Sequence, residues 1–460
     1  MLYESEQGDL TLGLVGDVML SRKLTPFREP GYLALRDLLH KTDATFANLE
    51  TVVRNRDEGY PNFTQGTPMS TDPALLEDLK WLGVDFVSCA NNHATDWGVT
   101  GVQAMMDHLR GASIPFAGIG ANLAQARAPC YADTPAGRIG MVAMTGFFRP
   151  WNRASHQRAD AIGRPGVNPL GFKTEYQVDA AAFNALEELS TGLGLDAARR
   201  RAQTMFYSAS EAPDSSDQEM TLFGQRFRRQ GEFAVVTEAA EADVDGNLAS
   251  IREARRQADW VLVSVHFHDF GGATAMNADR DIDMDEPADF VRSFARRAID
   301  EGADVVAGHG PHLTLGVEIY DRKPILYSLG NAIFQNDTIE VVPEESYSRF
   351  GLDASATPAD FLDVRTDNGQ KGFPSEPEYW HGMAGICRFE KGRLQSLEIH
   401  PIDLAYGRSR AQRGRPVLAT GETAGRILER ISRLSKILGA TLTIDGGVAR
   451  LALAETSSDA

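Results

Sequence analysis

Five short apolar runs, each ending on a carboxylate, carboxamide or imidazole, constrain this chain more than any other feature. Residues 11–15 lead into Gly16-Asp17-Val18-Met19, and residues 44–48 lead into Leu49-Glu50-Thr51. Residues 84–88 open onto Cys89-Ala90-Asn91-Asn92-His93, residues 260–265 onto His266-Phe267-His268-Asp269, and residues 303–307 onto Gly308-His309-Gly310-Pro311-His312. Runs of this length and composition read as buried strands. Between them lie stretches with apolar residues three and four apart, at 31–40, 73–81, 99–109 and 288–300, as packed helices require. Strands and helices alternating through short loops predict an α/β layered fold. Strand ends are where such folds build their sites.

Polar side chains at buried strand ends are costly unless they are paired or hold an ion. Asparagine offers a neutral oxygen ligand, and an imidazole can move a proton or polarise a substrate oxygen. A divalent first-row metal (Mn, Fe or Zn) suits this mixture of oxygen and nitrogen donors. Hydrogen-bonded caps and turns are the alternative. His268 lies two residues beyond His266, and whether it serves as a ligand depends on where that strand ends. Asp96, four residues after Asn92, is spaced to orient His93 from behind.

In chain order, Gly16-Asp17-Val18-Met19, Ala47-Asn48-Leu49-Glu50, Ala90-Asn-Asn-His-Ala-Thr-Asp-Trp-Gly98, Gly308-His-Gly-Pro-His312 and the run from Val317 to Asn331 carry a likeness. The sequence resembles the CapA-like family of poly-γ-glutamate capsule biosynthesis, a relative of the calcineurin-like metallophosphoesterases, over residues 10–335. The resemblance implies a four-layer α/β/β/α sandwich and two divalent metals. It implies that Asp17 binds one metal, that Glu50 bridges both, that Asn92 and His266 bind the second, and that His309 and His312 are shared. It also implies His93 as proton donor or oxyanion stabiliser. Arg22, Asn91, His268, Glu318 and Asn331 are the candidate substrate contacts, of which Glu318 and Asn331 lie in family-like motifs. Met19 stands where phosphoesterases carry a histidine, which removes one nitrogen ligand. The expected function is a metal-dependent hydrolase, its activated water attacking a phosphoester or a γ-linked amide. A non-catalytic accessory role in capsule polymer synthesis or transport is the alternative.

Charge narrows the partners. Lys and Arg number 46 against 64 Asp and Glu, a net charge of −18. That argues against non-specific nucleic-acid binding and against anionic membrane surfaces. The expected substrate is a small molecule or polymer that is anionic or γ-glutamyl, met by local arginines such as Arg22, Arg149, Arg153 and Arg164. Three cysteines without a CxxC pattern give no disulfide framework, and the first residues carry neither a basic region nor an apolar stretch. A cytoplasmic protein without a membrane anchor is the expectation; the number of subunits is left open.

Two stretches interrupt the alternation. Residues 147–259 read as a long insertion, and residues 336–381 as a loop-rich segment that could fold over the site. Residues 382–455 read as a small C-terminal α+β extension, with hairpin signals on either side of an amphipathic helix. Residues 456–460 read as a disordered tail.

Overall fold

The protein is described from a computed structural model covering residues 5–62, 64, 66–205, 215–271 and 285–451. The tail at 456–460 lies outside these described residues. The chain divides into two compact units. The larger takes Met1–Leu170, Ala242–His268 and Ala295–Ala460, and the smaller takes Gly171–Glu241 and Asp269–Phe294. The insertion expected at 147–259 is therefore narrower at both ends, and the smaller unit recruits a second, later piece of chain. A composition shift marks where polar sequence begins, but not which residues pack together.

The larger unit contains a ten-stranded and a six-stranded sheet. Along the first run Leu442–Asp445, Val448–Leu451, Arg393–Asp403, His381–Glu390, Leu10–Met19, Ala44–Leu49, Phe86–Ser88 and Phe116–Ala117. Asn331–Phe334 and Val417–Leu418 pair off this path, on Leu10–Met19 and Arg393–Asp403. The second sheet runs Val317–Tyr320, Lys323–Leu326, Val305–His309, Trp260–His266, Gly137–Thr145 and Cys130–Thr134.

Side-chain alternation explains how these sheets are covered. Leu12, Leu14, Phe46 and Phe86 from the first sheet share one buried cluster with Met141, Trp260, Leu262 and Val305 from the second. The two sheets thus pack face to face. Val15, Ala47, Leu49 and Val87 point the other way and meet Leu35 and Leu39 of the helix Pro30–Leu39, Leu79 of Leu76–Leu82, and Val102 and Met105 of Gly98–Gly111. Covering on both faces is why these strands read as near-continuous apolar runs.

The central strands are parallel, so their carboxyl ends gather. Asp17 stands in register with Asn48 on one side and with Asn331 on the other. Asn48 is level with Ser88, and His266 is level with His309.

The segment expected as a C-terminal extension belongs to the central sheet. His381–Glu390 pairs antiparallel with the first strand, from Leu10 opposite Phe389 to Val15 opposite Ala384. Hairpin signals are local and say nothing about which remote strand a hairpin will join.

The smaller unit has a four-stranded sheet in the order Glu219–Leu222, Gln225–Arg229, Phe172–Val178 and Ala234–Ala239. Val178, Met220 and Leu222 from these strands form its apolar cluster with Phe183 from the helix Ala180–Gly192. Among the described residues of the chain, no helix is long and apolar enough to cross a membrane.

Candidate metal centre

Glycine lets the strand ends close up. A Cβ on Gly16 would fall 1.8 Å from the Gly330 carbonyl oxygen, so only glycine allows the approach. With it, the Asp17 N–H donates to Gly330 O at 2.9 Å and the Asp17 carboxylate faces the histidine strands. Gly310 does the same work opposite, since a Cβ there would meet the His266 ring at 3.0 Å. His312 follows in a left-handed turn with φ of 59°.

Asp17 is fully buried yet well supplied. Its Oδ1 accepts from Asn48 Nδ2 at 2.8 Å, and its Oδ2 accepts from the Gly310 N–H at 3.1 Å. His312 Nδ1 lies 3.3 Å from Oδ2, and His309 Nδ1 lies 3.6 Å from Oδ1. Burial by itself would raise this carboxyl, but the His312 hydrogen bond and the His312 and His309 charges outweigh it and hold it below the usual carboxylate range.

Glu50 is the opposite case. It too is fully buried, and neither of its oxygens has a hydrogen-bond partner among the described residues. Around Oε1 stand His266 Nε2 at 3.8 Å, His312 Nε2 at 3.8 Å and His93 Nε2 at 3.9 Å. Burial, and after it the Asp17 charge, push this carboxyl well above its ordinary value. Those spacings are too long for hydrogen bonds and leave room for an ion with bonds of about 2 Å to each donor.

The imidazoles are packed against one another. His266 Nδ1 lies 3.0 Å from His309 Nδ1, while its Nε2 lies 3.1 Å from His268 Nε2 and 2.9 Å from Asn92 Oδ1. Ser264 Oγ is 2.7 Å from His309 Nε2. Burial, followed by the neighbouring histidines, holds His266 well below its usual range. Burial lowers His268 to about 3 and His309 to about 4. Neutral rings keep the lone pairs that a metal needs.

Among the described residues two donor groups emerge, each with ligand atoms within 4.8 Å of one another: Asp17, His266 and His309, and Glu50, His268 and His312. This grouping differs from the one the sequence suggests. His268, expected at the substrate, stands among the donors, two residues past the end of the strand Trp260–His266. His309 stands beside Asp17, where Met19 offers no nitrogen; Met19 itself is buried in the apolar cluster.

The remaining expected residues separate. His93 Nδ1 lies 2.6 Å from Asp96 Oδ2, which also accepts from the Met69 N–H at 2.8 Å. Asn331 Oδ1 lies 3.0 Å from His312 Nδ1 and so steadies a donor. Asn91 donates to Leu49 O at 2.9 Å and to Asn48 Oδ1 at 3.2 Å, a buried brace rather than a substrate contact. Arg22 is not at the cluster; it lines a separate pocket with Lys23 and Arg54. Glu318 is not there either, because Arg296 and Tyr327 consume both its oxygens. Of the other arginines, Arg153 pairs with Asp243, Arg164 binds the carbonyls of Pro150 and Arg153, and Arg149 lines a small pocket with Asn92.

Asn48 escapes the sequence reading, although it is the donor that fixes Asp17. Its strand-end position was the available signal, but a carboxamide between two stronger candidates gives no sign of which neighbour it serves. From the loop-rich segment, Phe373 stands edge-on to His312 with centroids 5.4 Å apart, and Tyr379 O accepts from Asn331 Nδ2 at 2.8 Å.

Comparison with known proteins follows the same residues. The chain is 33% identical over 454 residues to the "Uncharacterized protein y4sH" of Sinorhizobium fredii, covering 96% of this chain and 93% of that one. It is 22% identical to the "PGA biosynthesis protein CapA" of Bacillus subtilis, over 71% of this chain and 63% of that one. It is 26% identical to the "Probable polyglutamine synthesis accessory protein Rv0574c" of Mycobacterium tuberculosis, over 64% of this chain and 56% of that one. Residues 11–336, which hold every residue of the candidate centre, match the family described as bacterial capsule synthesis protein PGA_cap, and the chain belongs to that family.

Proposed function

We propose that this protein is a metal-dependent hydrolase in which water attacks a phosphoester or a γ-linked amide. The observation that carries this reading is Glu50, a fully buried carboxylate whose oxygens have no hydrogen-bond partner among the described residues and which has three imidazole nitrogens at 3.8–3.9 Å. An uncompensated carboxylate in such a place is strongly unfavourable, and a cation removes the cost. Asp17, His266 and His309 would hold one divalent ion, and Glu50, His268 and His312 a second, with Asn92 beside His266. Donors of mixed nitrogen and oxygen type suit Mn, Fe or Zn.

Bound there, two divalent cations would polarise the scissile group and make water more acidic. The chain supplies the rest. Asn48 and the Gly310 N–H hold the Asp17 oxygens in place. Asp96 fixes the His93 ring through Nδ1, leaving Nε2 turned toward Glu50 to hand a proton to a departing group. The two face-to-face sheets, the first with helices on its outer face, support the four-layer arrangement of metallophosphoesterases as the framework.

Elemental analysis of the purified protein beside Glu50→Ala tests the reading. About two equivalents of metal in the wild type, reduced in the variant together with hydrolysis of phosphoesters or γ-glutamyl amides, is the expected result. A wild type that takes up no metal even after reconstitution would sink it. The accessory role named for the Mycobacterium tuberculosis relative would then become the better reading.

A further inference from the structure

A second polar recess lies on the loops that follow the two carboxylates of the metal centre. It has a volume of about 530 Å³, and its charged lining is Arg22, Lys23, Arg54 and Arg56 together with Asp72 and Glu340. Four cations against two carboxylates is the reverse of the whole chain, whose net charge is −18. Both carboxylates are already engaged. Asp72 accepts from the Ala74 N–H at 2.8 Å, and Glu340 pairs with Arg56 at 3.1 Å across an exposed contact of little energetic worth.

The cations are presented on a braced frame. Gln335 Oε1 accepts from the Ser21 and Arg22 N–H groups, both at 2.8 Å, and the Arg22 and Lys23 side chains remain exposed. The Arg54 guanidinium is buried over the Trp97 ring at 3.9 Å. Its Nε and Nη2 bind the carbonyls of Glu58 and Arg56, and Nη1 makes no hydrogen bond among the described residues. A fixed guanidinium with a spare donor is suited to an oxyanion, since little ordering entropy remains to be lost.

The recess is close to the metal centre along the chain. Arg22 is five residues from Asp17 and Arg54 is four from Glu50, so even extended backbone separates the pairs by at most roughly 17 Å and 14 Å. Thr51, next to Glu50, lies 2.9 Å through its hydroxyl from that of Thr71, which is flanked by the lining residues Ser70 and Asp72.

We propose that this recess is an anion-binding site, distinct from the metal centre, for a ligand carrying two or more carboxylate or phosphate groups. Titration calorimetry on the full chain tests it with three probes: pyrophosphate, citrate and γ-linked tri-glutamate. At least one should bind the wild type and Glu50→Ala alike, and Arg22→Glu/Lys23→Glu should weaken it about tenfold or more. A preference for pyrophosphate identifies a phosphorylated ligand, and a preference for the other two identifies a polycarboxylate. Binding that Glu50→Ala abolishes and the double variant keeps belongs to the metal centre and overturns the proposal. So does a failure of all three probes to bind the wild type. Should circular dichroism show the double variant unfolded, Arg56→Ala replaces it, with a loss of about threefold expected and no loss counting against the site.

Discussion

Glu50 and Glu318 are both buried glutamates in the larger unit, and they teach opposite lessons. Glu318 receives Arg296 Nε at 2.8 Å and Nη2 at 2.6 Å on one oxygen, and the Tyr327 hydroxyl at 2.6 Å on the other. Glu50 receives no hydrogen-bond donor among the described residues. The first is saturated by its own protein and has nothing to offer a ligand. The second has been taken out of water beside the Asp17 carboxylate, with three histidines just beyond hydrogen-bonding reach. Burial alone does not mark a functional carboxylate; burial without partners does.

The sharpest way to break this contrast is to change both residues. Glu50→Gln should lower hydrolysis by about a thousandfold and reduce bound metal, while the metal-free variant melts no lower than the metal-free wild type. Glu318→Ala should do the reverse. It should cost about 1–3 kcal/mol in denaturant unfolding, with metal content and turnover per folded molecule retained. If Glu318→Ala lost metal, or Glu50→Gln proved strongly destabilising, the distinction would fail.

Next in size is Asp96→Asn. It keeps the shape beside His93 but removes the charge that orients the ring, and should lower kcat by about a hundredfold with metal content unchanged. Asn48→Ala should weaken metal binding about tenfold, read by competition with a chelator, because Asp17 loses its shortest donor.

The smallest effect concerns acid stability. The Asn55 backbone N–H and His108 pull Glu58 down to about 2 from an ordinary value of 4.5. A carboxyl depressed on folding contributes stability that is present above its unfolded value and is lost as pH falls toward the folded one. Glu58→Gln should therefore flatten the fall in melting temperature between pH 4.5 and 2 while leaving the acid end of the profile in place.

The same contrast sets how much was legible beforehand. The proximity of Asp17, Asn92, His93, His266, His309 and His312 was legible because each follows an apolar run, and parallel strands bring such ends together. Glu318 and Arg22 lie in similar settings, but a sequence shows that a residue is near a strand end and not which neighbours will neutralise it. His268 lies in the loop after the strand Trp260–His266, where periodicity no longer places a side chain. Asn48 was hidden by its neutrality. The pairing of His381–Glu390 with the first strand was beyond reach, since nothing local in either segment names the other.

That pairing also has a temporal side. Residues 10–15 of the first strand complete their hydrogen bonds on one side only through Ala384–Phe389. At a synthesis rate of 5–20 residues per second, roughly 20 to 75 s pass between the emergence of that strand and of its partner. For that interval the nascent chain carries an open strand edge in what becomes the middle of its largest sheet. Such an edge recruits whatever strand is nearby. Production of this protein thus depends on how well the ribosome-bound chain is shielded, and any truncation ahead of residue 384 makes the exposure permanent.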